Sequence, residues 1–443
     1  MGRRLLKEPP RGRRVSSLAI RNATIVTQDD ARRVVQGDVY VEDDRIVSVG
    51  TKAPEADHEL DGSGQAVLPG LINLHTHVPM GLFRGYGDDM HLEAWLQDRI
   101  WPAEAKLTPE SMRAGADLGH LEMIQNGVTS YLDMYWMEAD VIADACRTAG
   151  LRGWCGEGMV DFDTPEGEPN PKTKIIEASI KATQGDALIT HCPSPHATYT
   201  ASRATYEESA RIALEHGVPM HTHCSETRKE VYDVERDAGA RPVQVLKETG
   251  ALAANAVLAH CGWITKAEVQ DIAAAGASVA HCPVSNMKLA TGGVCPVPEL
   301  HDCGVHCGLG TDGAASNNST DLFETMKFAA LVQKQHRWDP TVLPAQRVLD
   351  MATRDGAAAL RRPDLGRIEV GATADLCMVD MRRAQLVPVH DAVSHLVYAT
   401  SGRDVSATVV HGQVLMAEGA VRTLDAPRVL DAARQAAAGL TGA

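Results

Sequence analysis

Short runs of alternating apolar and polar residues occupy both ends of the chain. The strand-like stretches are residues 18–20, 23–26, 38–41 and 45–49 near the amino end and residues 374–379 and 409–415 near the carboxyl end. Patterns of this kind, separated by turn residues, predict β-strands. Two small domains would explain them, but we favour one composite β-sandwich built from both termini, formed by residues 18–67 and 367–425.

The region between these ends alternates strand patterns with helix patterns. Thr265 and Glu268 have the spacing of a capping box, and the helix that they open is expected to end at Gly276. Eight consecutive strand–helix units favour a closed parallel barrel over an open sheet, because closure removes both sheet edges. We therefore predict an α/β fold, a TIM-like (β/α)8 barrel over residues 68–366 with the small β-sandwich attached. The predicted strands are residues 71–77, 129–134, 152–160, 187–191, 218–223, 256–260, 277–281 and 305–310.

Charge and hydropathy exclude several classes of partner. The net charge of −15 would repel a phosphate backbone, so we expect no nucleic acid partner. Six Lys or Arg residues lie in residues 1–14, within a predicted disordered basic tail of residues 1–17; a nucleic-acid-binding arm is the alternative. This tail has no signal-peptide core, and no apolar run approaches the roughly 18 residues of a membrane span. We expect a cytoplasmic protein without a membrane partner, ending in a helix or tail at residues 426–443.

The ten cysteines do not form a disulfide framework in this interpretation. Such frameworks belong to much shorter secreted chains. The thiols at positions 192, 224, 261 and 282 each directly follow a histidine, and neighbouring residues of a strand face opposite sides. We therefore expect these cysteines to be small buried residues behind the histidines, at positions 192, 224, 261 and 282.

Imidazoles and one carboxylate gather at the carboxyl ends of the predicted strands, where a barrel of this kind has its active site. His75 and His77, two residues apart on one strand, face the same way and can reach one metal ion. His223 and Asp312 lie at two further strand ends. Three imidazoles and a carboxylate suit zinc, iron or manganese, and zinc is the first expectation for hydrolysis, with one divalent metal per subunit.

Glu226 follows the ligand His223 by three residues, on the loop above the strand. This position allows the carboxylate to take a proton from an activated water and to deliver it to a substrate nitrogen. The alternative is a solvated loop residue that pairs with Arg228 or Lys229.

The chain resembles the amidohydrolase superfamily over nearly its whole length. The resemblance rests on the strings LPGLINLHTH at residues 68–77, HCSE at 223–226, HCPVSN at 281–286, GTDG at 310–313 and GATADL at 371–376. Within the superfamily it is most similar to the branch that contains the 5-methylthioadenosine/S-adenosylhomocysteine deaminases, the 5'-deoxyadenosine deaminases and the triazine chlorohydrolases.

The resemblance implies a hydrolytic deaminase of adenosine-type nucleosides. It implies a metal ion held by the four residues named above, without a carbamylated lysine. Asp312 would deprotonate the attacking water, Glu226 would be the proton shuttle, and His260 would polarise the nucleophile or steady the new C–O bond. The product would be the inosine analogue and ammonia, from 5'-deoxyadenosine, 5'-methylthioadenosine, S-adenosylhomocysteine or adenosine.

The resemblance also implies substrate contacts. Glu104 matches a position that binds the ribose hydroxyls, although a glutamate at a helix start is an equal alternative. His196 matches a histidine of the fourth strand loop that reaches the substrate, with a purely structural loop histidine as the alternative. Ser285 and Asn286 would line the pocket, with a turn as the alternative role.

Three residues need a separate interpretation. His221 faces the same way as His223, but the resemblance implies no ligand role for it, so we expect a packed or supporting imidazole; His281 stays ambiguous. Glu157 occupies a position where relatives that prefer the homocysteine-bearing nucleoside carry an arginine. A carboxylate there would repel the substrate carboxylate, which favours 5'-deoxyadenosine, methylthioadenosine or adenosine.

Two alternatives remain open. The same fold and metal would serve a triazine, pterin or guanine aminohydrolase or chlorohydrolase, since ring protonation by Glu226 helps each of these reactions. A non-catalytic scaffold is the alternative of another class. The resemblance further implies a homo-oligomer that binds a small purine nucleoside.

Overall fold

The computed structural model describes residues 16–135, 137–253 and 255–442. The predicted disordered tail, residues 1–17, lies outside the described residues except for its last two, and Ser17 already begins the first strand. The first five strands are β1 (Ser17–Val26), β2 (Val34–Glu42), β3 (Arg45–Val49), β4 (His58–Asp61) and β5 (Gln65–Pro69).

Eight parallel strands follow, and they form the predicted barrel. They are β6 (Leu71–Thr76), β7 (Val128–Tyr135), β8 (Arg152–Met159), β9 (Ile189–Pro195), β10 (Met220–Cys224), β11 (Ala256–His260), β12 (Ser278–His281) and β13 (Cys307–Leu309). Their spatial order is β10-β11-β12-β13-β6-β7-β8-β9. The ring closes between β9 and β10, where the backbone N–H of His223 donates to the carbonyl of His196 at 3.0 Å. Their residues are almost all buried, as expected of parallel strands covered on both faces.

The last four strands join the first five in a single sheet. They are β14 (Leu376–Asp380), β15 (Val405–Val410), β16 (Gln413–Ala417) and β17 (Ala420–Val421). β14 pairs antiparallel with β5, and this pairing connects the two ends of the chain. Buried side chains from both ends, including Leu18, Val67, Leu376 and Val409, share one apolar cluster. The predicted fold class is confirmed, whereas the limits of the units at residues 18–67, 68–366 and 367–425 stay a prediction.

Helices cover the outside of the barrel. The α-helices are α1 (Leu92–Trp95), α2 (Trp101–Glu104), α3 (Pro109–Gln125), α4 (Ala139–Ala149), α5 (Lys172–Ala182), α6 (Arg203–His216), α7 (Arg228–Ala238), α8 (Pro242–Glu248), α9 (Lys266–Ala275), α10 (Pro283–Lys288), α11 (Val297–Asp302), α12 (Leu322–Arg337), α13 (Ala345–Asp350), α14 (Gly356–Ala359), α15 (Ala392–Tyr398) and α16 (Ala426–Thr441). Two π-helical turns, Leu96–Ile100 and Met351–Asp355, and three 3-10 turns, Val78–Phe83, Ala384–Leu386 and Gly402–Asp404, complete the helical elements that the described residues form.

Local signals fix the ends of several helices. The predicted capping box of Thr265 and Glu268 opens α9, and Gly276 ends it with a φ of +68°. That left-handed conformation costs glycine little and other residues much more. Within the described part of the chain, no helix is both long enough and apolar enough to cross a bilayer.

A buried ion pair joins the barrel to the sheet. The guanidinium of Arg152, at the start of β8, lies 3.0 and 3.1 Å from the carboxylate oxygens of Asp375, just before β14. Both side chains are nearly inaccessible to solvent. Because an unpaired charge at this depth is strongly unfavourable, the pair fixes the carboxyl-terminal strands against the base of the barrel.

Candidate active site

The four predicted metal ligands meet at the mouth of the barrel. His75 lies on β6 and His77 directly follows it, His223 lies on β10, and Asp312 follows β13. The centroid of the His75 ring lies 4.9 Å from those of His77 and His223. Ligand atoms of the three histidines lie within 4.8 Å of one another. Residues that are up to 237 positions apart in sequence therefore surround one point in space.

Backbone carbonyls orient two of these imidazoles. His77 Nδ1 lies 2.5 Å from the carbonyl oxygen of Met134, and His223 Nδ1 lies 2.8 Å from that of His196. A carbonyl only accepts, so each Nδ1 carries the hydrogen and each Nε2 of the neutral ring has a free lone pair. The two Nε2 atoms are 3.4 Å apart. Two lone pairs that face each other at this distance would repel, and a cation between them, either a proton or a metal ion, removes the repulsion.

His75 and Asp312 complete the set. His75 Nδ1 lies 3.0 Å from His221 Nε2, while the buried Nε2 of His75 has no hydrogen-bond partner among the described residues. Asp312 Oδ1 lies 3.5 Å from His75 Nε2 and 3.2 Å from His77 Nε2. Three imidazole nitrogens and a carboxylate are a donor set that zinc prefers, so the residues present fit a divalent metal.

Electrostatics favour a positive charge at the centre of this set. Burial opposes ionisation of Asp312, but the interactions with His75 and His77 outweigh it and hold the pKa of the carboxyl well below its usual range. Burial alone would lower the pKa of His77, but the hydrogen bond to Asp312, the charge of Asp312 and the Met134 carbonyl together outweigh burial and raise the pKa to about 9. The site therefore stabilises a positive charge beside an ionised carboxylate. A bound metal ion would supply this positive charge.

Glu226 and His260 lie next to the predicted metal ligands. Glu226 Oε2 is 3.8 Å from His260 Nε2, and the Glu226 side chain is only 12% exposed. Burial raises the pKa of Glu226, which favours its carrying a proton. The alternative partner Lys229 pairs instead with Glu93 and Asp233.

A buried glutamate that the sequence did not reveal supports the Glu226 loop. Glu230 accepts hydrogen bonds from the backbone N–H groups of Ser225, at 2.9 Å, and of Glu226, at 2.7 Å. Burial raises the pKa of Glu230 to about 7. Its position in the first turn of α7, beside the proposed catalytic loop, is the signal that could have indicated this role.

A cavity of about 710 Å³, counted with the space open to solvent, leads from the predicted metal ligands to the surface. Its walls include aromatic and aliphatic side chains from the irregular helical segment that runs from the start of α1 to the end of α2, which no sequence pattern predicted. The lining residues are His77, Met80, Leu92, Trp95, Leu96, Trp101, Glu104, Met134, Tyr135, Gly158, His196, Tyr199, His223, Glu226, His260, Leu289, Asp312 and Ser316. This apolar cleft with a few converging polar groups has the character of a small-molecule site.

Glu104 lies in the wall of the cavity with half of its carboxyl group unsatisfied. Tyr135 Oη donates to Oε1 at 2.6 Å, whereas the buried Oε2 has no hydrogen-bond partner among the residues described. Burial raises the pKa of Glu104 to about 7. An unsatisfied buried oxygen is costly unless a ligand or water bonds to it.

The remaining predicted residues surround this centre. His196 lines the cavity and its Nδ1 lies 2.8 Å from Thr200 Oγ1. Ser285 and Asn286 lie one layer further out. Ser285 Oγ donates to Asp312 Oδ2 at 2.5 Å, and the amide nitrogen of Asn286 lies 3.2 Å from His260 Nδ1.

Glu157 does not act as an isolated anion. Its Oε1 lies 2.8 Å from Lys172 Nζ, at the start of α5. The ammonium group offsets the carboxylate charge, so repulsion of an anionic substrate by Glu157 is weaker than its sequence position suggested.

These features define a metal-dependent hydrolase barrel, and sequence comparison gives the family. The model of the amidohydrolase family matches residues 66–415. Since this match covers most of the chain, the protein belongs to the amidohydrolase family, as the motifs predicted.

Curated relatives narrow the comparison. A 5-methylthioadenosine/S-adenosylhomocysteine deaminase of Thermococcus kodakarensis is 44% identical over 402 residues, which is 90% of this chain and 94% of the relative. A 5'-deoxyadenosine deaminase of Methanothermobacter thermautotrophicus is 43% identical over 417 residues, which is 93% of this chain and 97% of the relative.

Solved structures share the whole architecture. An adenosine deaminase from Xanthomonas campestris with bound zinc has a TM-score of 0.91 and 33% identity, over 97% of this chain and 99% of its own. An atrazine chlorohydrolase from Arthrobacter aurescens, complexed with zinc, has a TM-score of 0.86 and 25% identity, over 95% of this chain and 100% of its own.

Proposed function

We propose that the protein is a metal-dependent hydrolytic deaminase of adenosine-type nucleosides that releases ammonia and the inosine analogue. One observation carries the proposal: a single cavity has the metal ligands, Glu226 and His260 at one end and the unsatisfied Glu104 oxygen in its wall. A purine ring at the metal end and a ribose beside Glu104 would use both sets of groups. The names of the curated relatives support this substrate class.

We propose one divalent metal ion per chain, with zinc as the metal and iron or manganese as substitutes. His75, His77, His223 and Asp312 would hold it. When bound, it supplies Lewis acidity that makes water nucleophilic near neutral pH. Support comes from the two structurally similar enzymes that contain zinc.

The protein's own groups would move the protons. Asp312 accepts a proton from the attacking water, since its carboxyl is held ionised. Glu226, which burial favours in its protonated form, donates to the ring nitrogen beside the amino-bearing carbon. Protonation there lowers the aromatic resistance to attack, and His260 steadies the new C–O bond. The proton that Asp312 holds then passes to the amino group, ammonia leaves as the C–N bond breaks, and Glu226 takes back the hydroxyl proton as the C=O bond forms.

Glu104 would bind the ribose hydroxyls. Tyr135 fixes one carboxyl oxygen at 2.6 Å, so the other can accept a hydrogen bond from the sugar. His196, Ser285 and Asn286 would support substrate and catalytic groups. Since Lys172 offsets Glu157, the substrate set keeps S-adenosylhomocysteine beside 5'-deoxyadenosine, 5'-methylthioadenosine and adenosine.

The resemblance to this branch also supports a homo-oligomeric cytoplasmic enzyme in the salvage of nucleosides derived from S-adenosylmethionine. Light scattering of the purified protein tests the oligomeric state.

A panel of adenosines with different 5' groups tests the proposal. We expect ammonia release together with the absorbance change from adenine to hypoxanthine, and the ranking of kcat/KM identifies the preferred 5' group. Absence of turnover on every member, with metal bound, would overturn it.

A triazine, pterin or guanine hydrolase is the second candidate, favoured by the structural similarity to the atrazine chlorohydrolase. Glu104→Ala separates the two candidates. A nucleoside deaminase should lose kcat/KM with nucleosides, because a ribose contact is gone. A triazine hydrolase should keep its activity in this variant.

A further inference from the structure

A second cavity lies behind the catalytic histidine, outside the barrel mouth. It encloses about 530 Å³, counted with the space open to solvent, between the end of β12, α10 and α12. Its lining includes His281, Asn286, Met287, Cys295 and Val332. No residue of the proposed active-site cavity lines it, but Asn286 reaches from it to His260.

His281 projects both ring nitrogens into these surroundings without a protein partner among the described residues. The side chain is only 2% exposed. Buried polar atoms that no protein group reaches are hydrogen bonded to ordered water. His281 and Asn286 line the same cavity, which leaves room for a water molecule that contacts both side chains.

Asn286 Nδ2 lies 3.2 Å from His260 Nδ1. An amide nitrogen only donates, so in this arrangement His260 Nδ1 is the acceptor and its hydrogen resides on Nε2. Nε2 is the nitrogen nearer Glu226 and the reacting centre. The role assigned to His260, steadying a developing C–O bond, requires a donor at that atom.

We propose that Asn286 is a positioning residue that holds His260 as the Nε2–H tautomer, and that water held by His281 keeps the Asn286 amide in its donating orientation. The kinetic consequence rests on the proposed deaminase function, whereas the tautomer itself does not. An amide turned by 180° would accept from Nδ1–H and give the opposite tautomer, so a direct reading of the imidazole decides the matter.

The test reads the ring nitrogens of His260 by NMR in zinc-loaded protein with 15N-labelled histidine, assigned through a His260→Gln variant. We expect hydrogen on Nε2 in the wild type, a mixture of tautomers in Asn286→Ala, and hydrogen on Nδ1 in Asn286→Asp, where a carboxylate accepts. His281→Leu should give a mixture like that of Asn286→Ala, because it removes the water anchor.

Kinetics give the second reading. We expect kcat to fall by about 10- to 100-fold in both Asn286 variants, the range typical of residues that orient catalytic groups, with KM and zinc content unchanged. Met287→Ala is the matched control: it lines the same cavity, is 42% exposed, and should leave kcat and tautomer as in the wild type.

Wild-type His260 with hydrogen on Nδ1, or an Asn286→Ala variant with the wild-type tautomer and kcat, would overturn the proposal. A wild-type tautomer in His281→Leu would remove the water anchor from it. The expected tautomers in a protein that deaminates no nucleoside would support the positioning role while defeating the proposed function.

Discussion

Each imidazole of the proposed metal site is oriented by a partner on its far side. Carbonyls of Met134 and His196 face the Nδ1 atoms of His77 and His223. The residue type and strand-end placement of these ligands could be predicted from sequence, because spacing of two along a strand gives a shared face. Their carbonyl partners could not, since any residue supplies a carbonyl and only the folded register determines which one is near.

The first prediction concerns the proton shuttle. Glu226→Gln should lower kcat for nucleoside deamination by about 10²- to 10⁴-fold, because the amide cannot transfer the proton. Metal content and thermal stability should match the wild type. Glu235→Gln, an exposed residue of α7, is the control and should keep full activity. Wild-type kcat in Glu226→Gln would remove the assigned role.

The buried Glu104 carboxyl, whose pKa burial raises to about 7, makes the stability of the fold depend on pH. In the unfolded chain the pKa is near 4.5. Between these values the folded state binds more protons, so the contribution of Glu104 to stability is present below about pH 4.5 and is lost as the pH rises to about 7.

Glu104→Gln, which stays neutral, should therefore gain stability relative to the wild type as the pH rises from 5 to 8. The shift in pKa limits the gain to about 3 kcal/mol. Urea unfolding at both pH values measures it. If the two proteins differed in unfolding free energy by the same amount at pH 5 and at pH 8, the Glu104 carboxyl would be ionised over this whole pH range.

At the scale of elements, the eight barrel strands could be predicted to within a few residues. The largest deviation is β9, expected over residues 187–191 and observed over Ile189–Pro195. Pro193 and Pro195 cannot donate backbone hydrogen bonds, but β9 meets β10 only through a single bridge between Ala197 and His223, so few hydrogen bonds are lost there. The irregular helical segment from Leu92 to Glu104 escaped prediction because tertiary contacts, not periodicity, determine it.

Two glycines give opposite expectations. A Cβ at Gly310 would lie 2.7 Å from the Cβ of His75 and 2.9 Å from Cys282 Sγ. Gly310→Ala should therefore displace β13 relative to β6 and reduce metal affinity and kcat together.

A Cβ at Gly439, inside α16, meets nothing within 4 Å. Gly439→Ala should raise stability by up to about 1 kcal/mol with unchanged activity. Metal titration and thermal unfolding of both variants decide, and a fully active Gly310→Ala would contradict the required close packing.

For the molecule as a whole, the joining of both termini in one sheet could be predicted, because short strand patterns separated by turns flank the barrel at both ends of the chain. The Arg152–Asp375 ion pair could not be predicted, since the two residues are 223 positions apart and no sequence pattern indicates that they interact. The contacts of Ser285 with Asp312 and of Asn286 with His260 could not be predicted either. Both residues lie in the motif at residues 281–286, but their contacts depend on how α10 packs.

Buried neutral histidines predict acid sensitivity of the whole fold. Burial lowers the pKa of His120, which lies 2.8 Å from Tyr131 Oη, to about 3. Below pH 6.5 His120 binds a proton in the unfolded chain but stays neutral in the folded state. The free energy of unfolding therefore falls as the pH decreases from about 6.5 towards 3.

His120→Gln should therefore weaken the pH dependence of the unfolding free energy by up to about 1.4 kcal/mol per pH unit. Urea unfolding of the metal-free protein between pH 7 and 4 measures this slope. Exposed His58→Gln is the control and should keep the wild-type slope. Equal slopes for His120→Gln and the wild type would show that His120 titrates normally in the folded state.

The most direct test of the central claim measures metal content and ammonia release in one preparation. The claim is that His75, His77, His223 and Asp312 hold a single ion that makes water attack an adenosine-type ring. It predicts one equivalent of divalent metal per chain, deamination of at least one 5'-modified adenosine, and loss of both in His223→Asn. A wild-type protein that deaminates these nucleosides at full rate after complete removal of metal would contradict it.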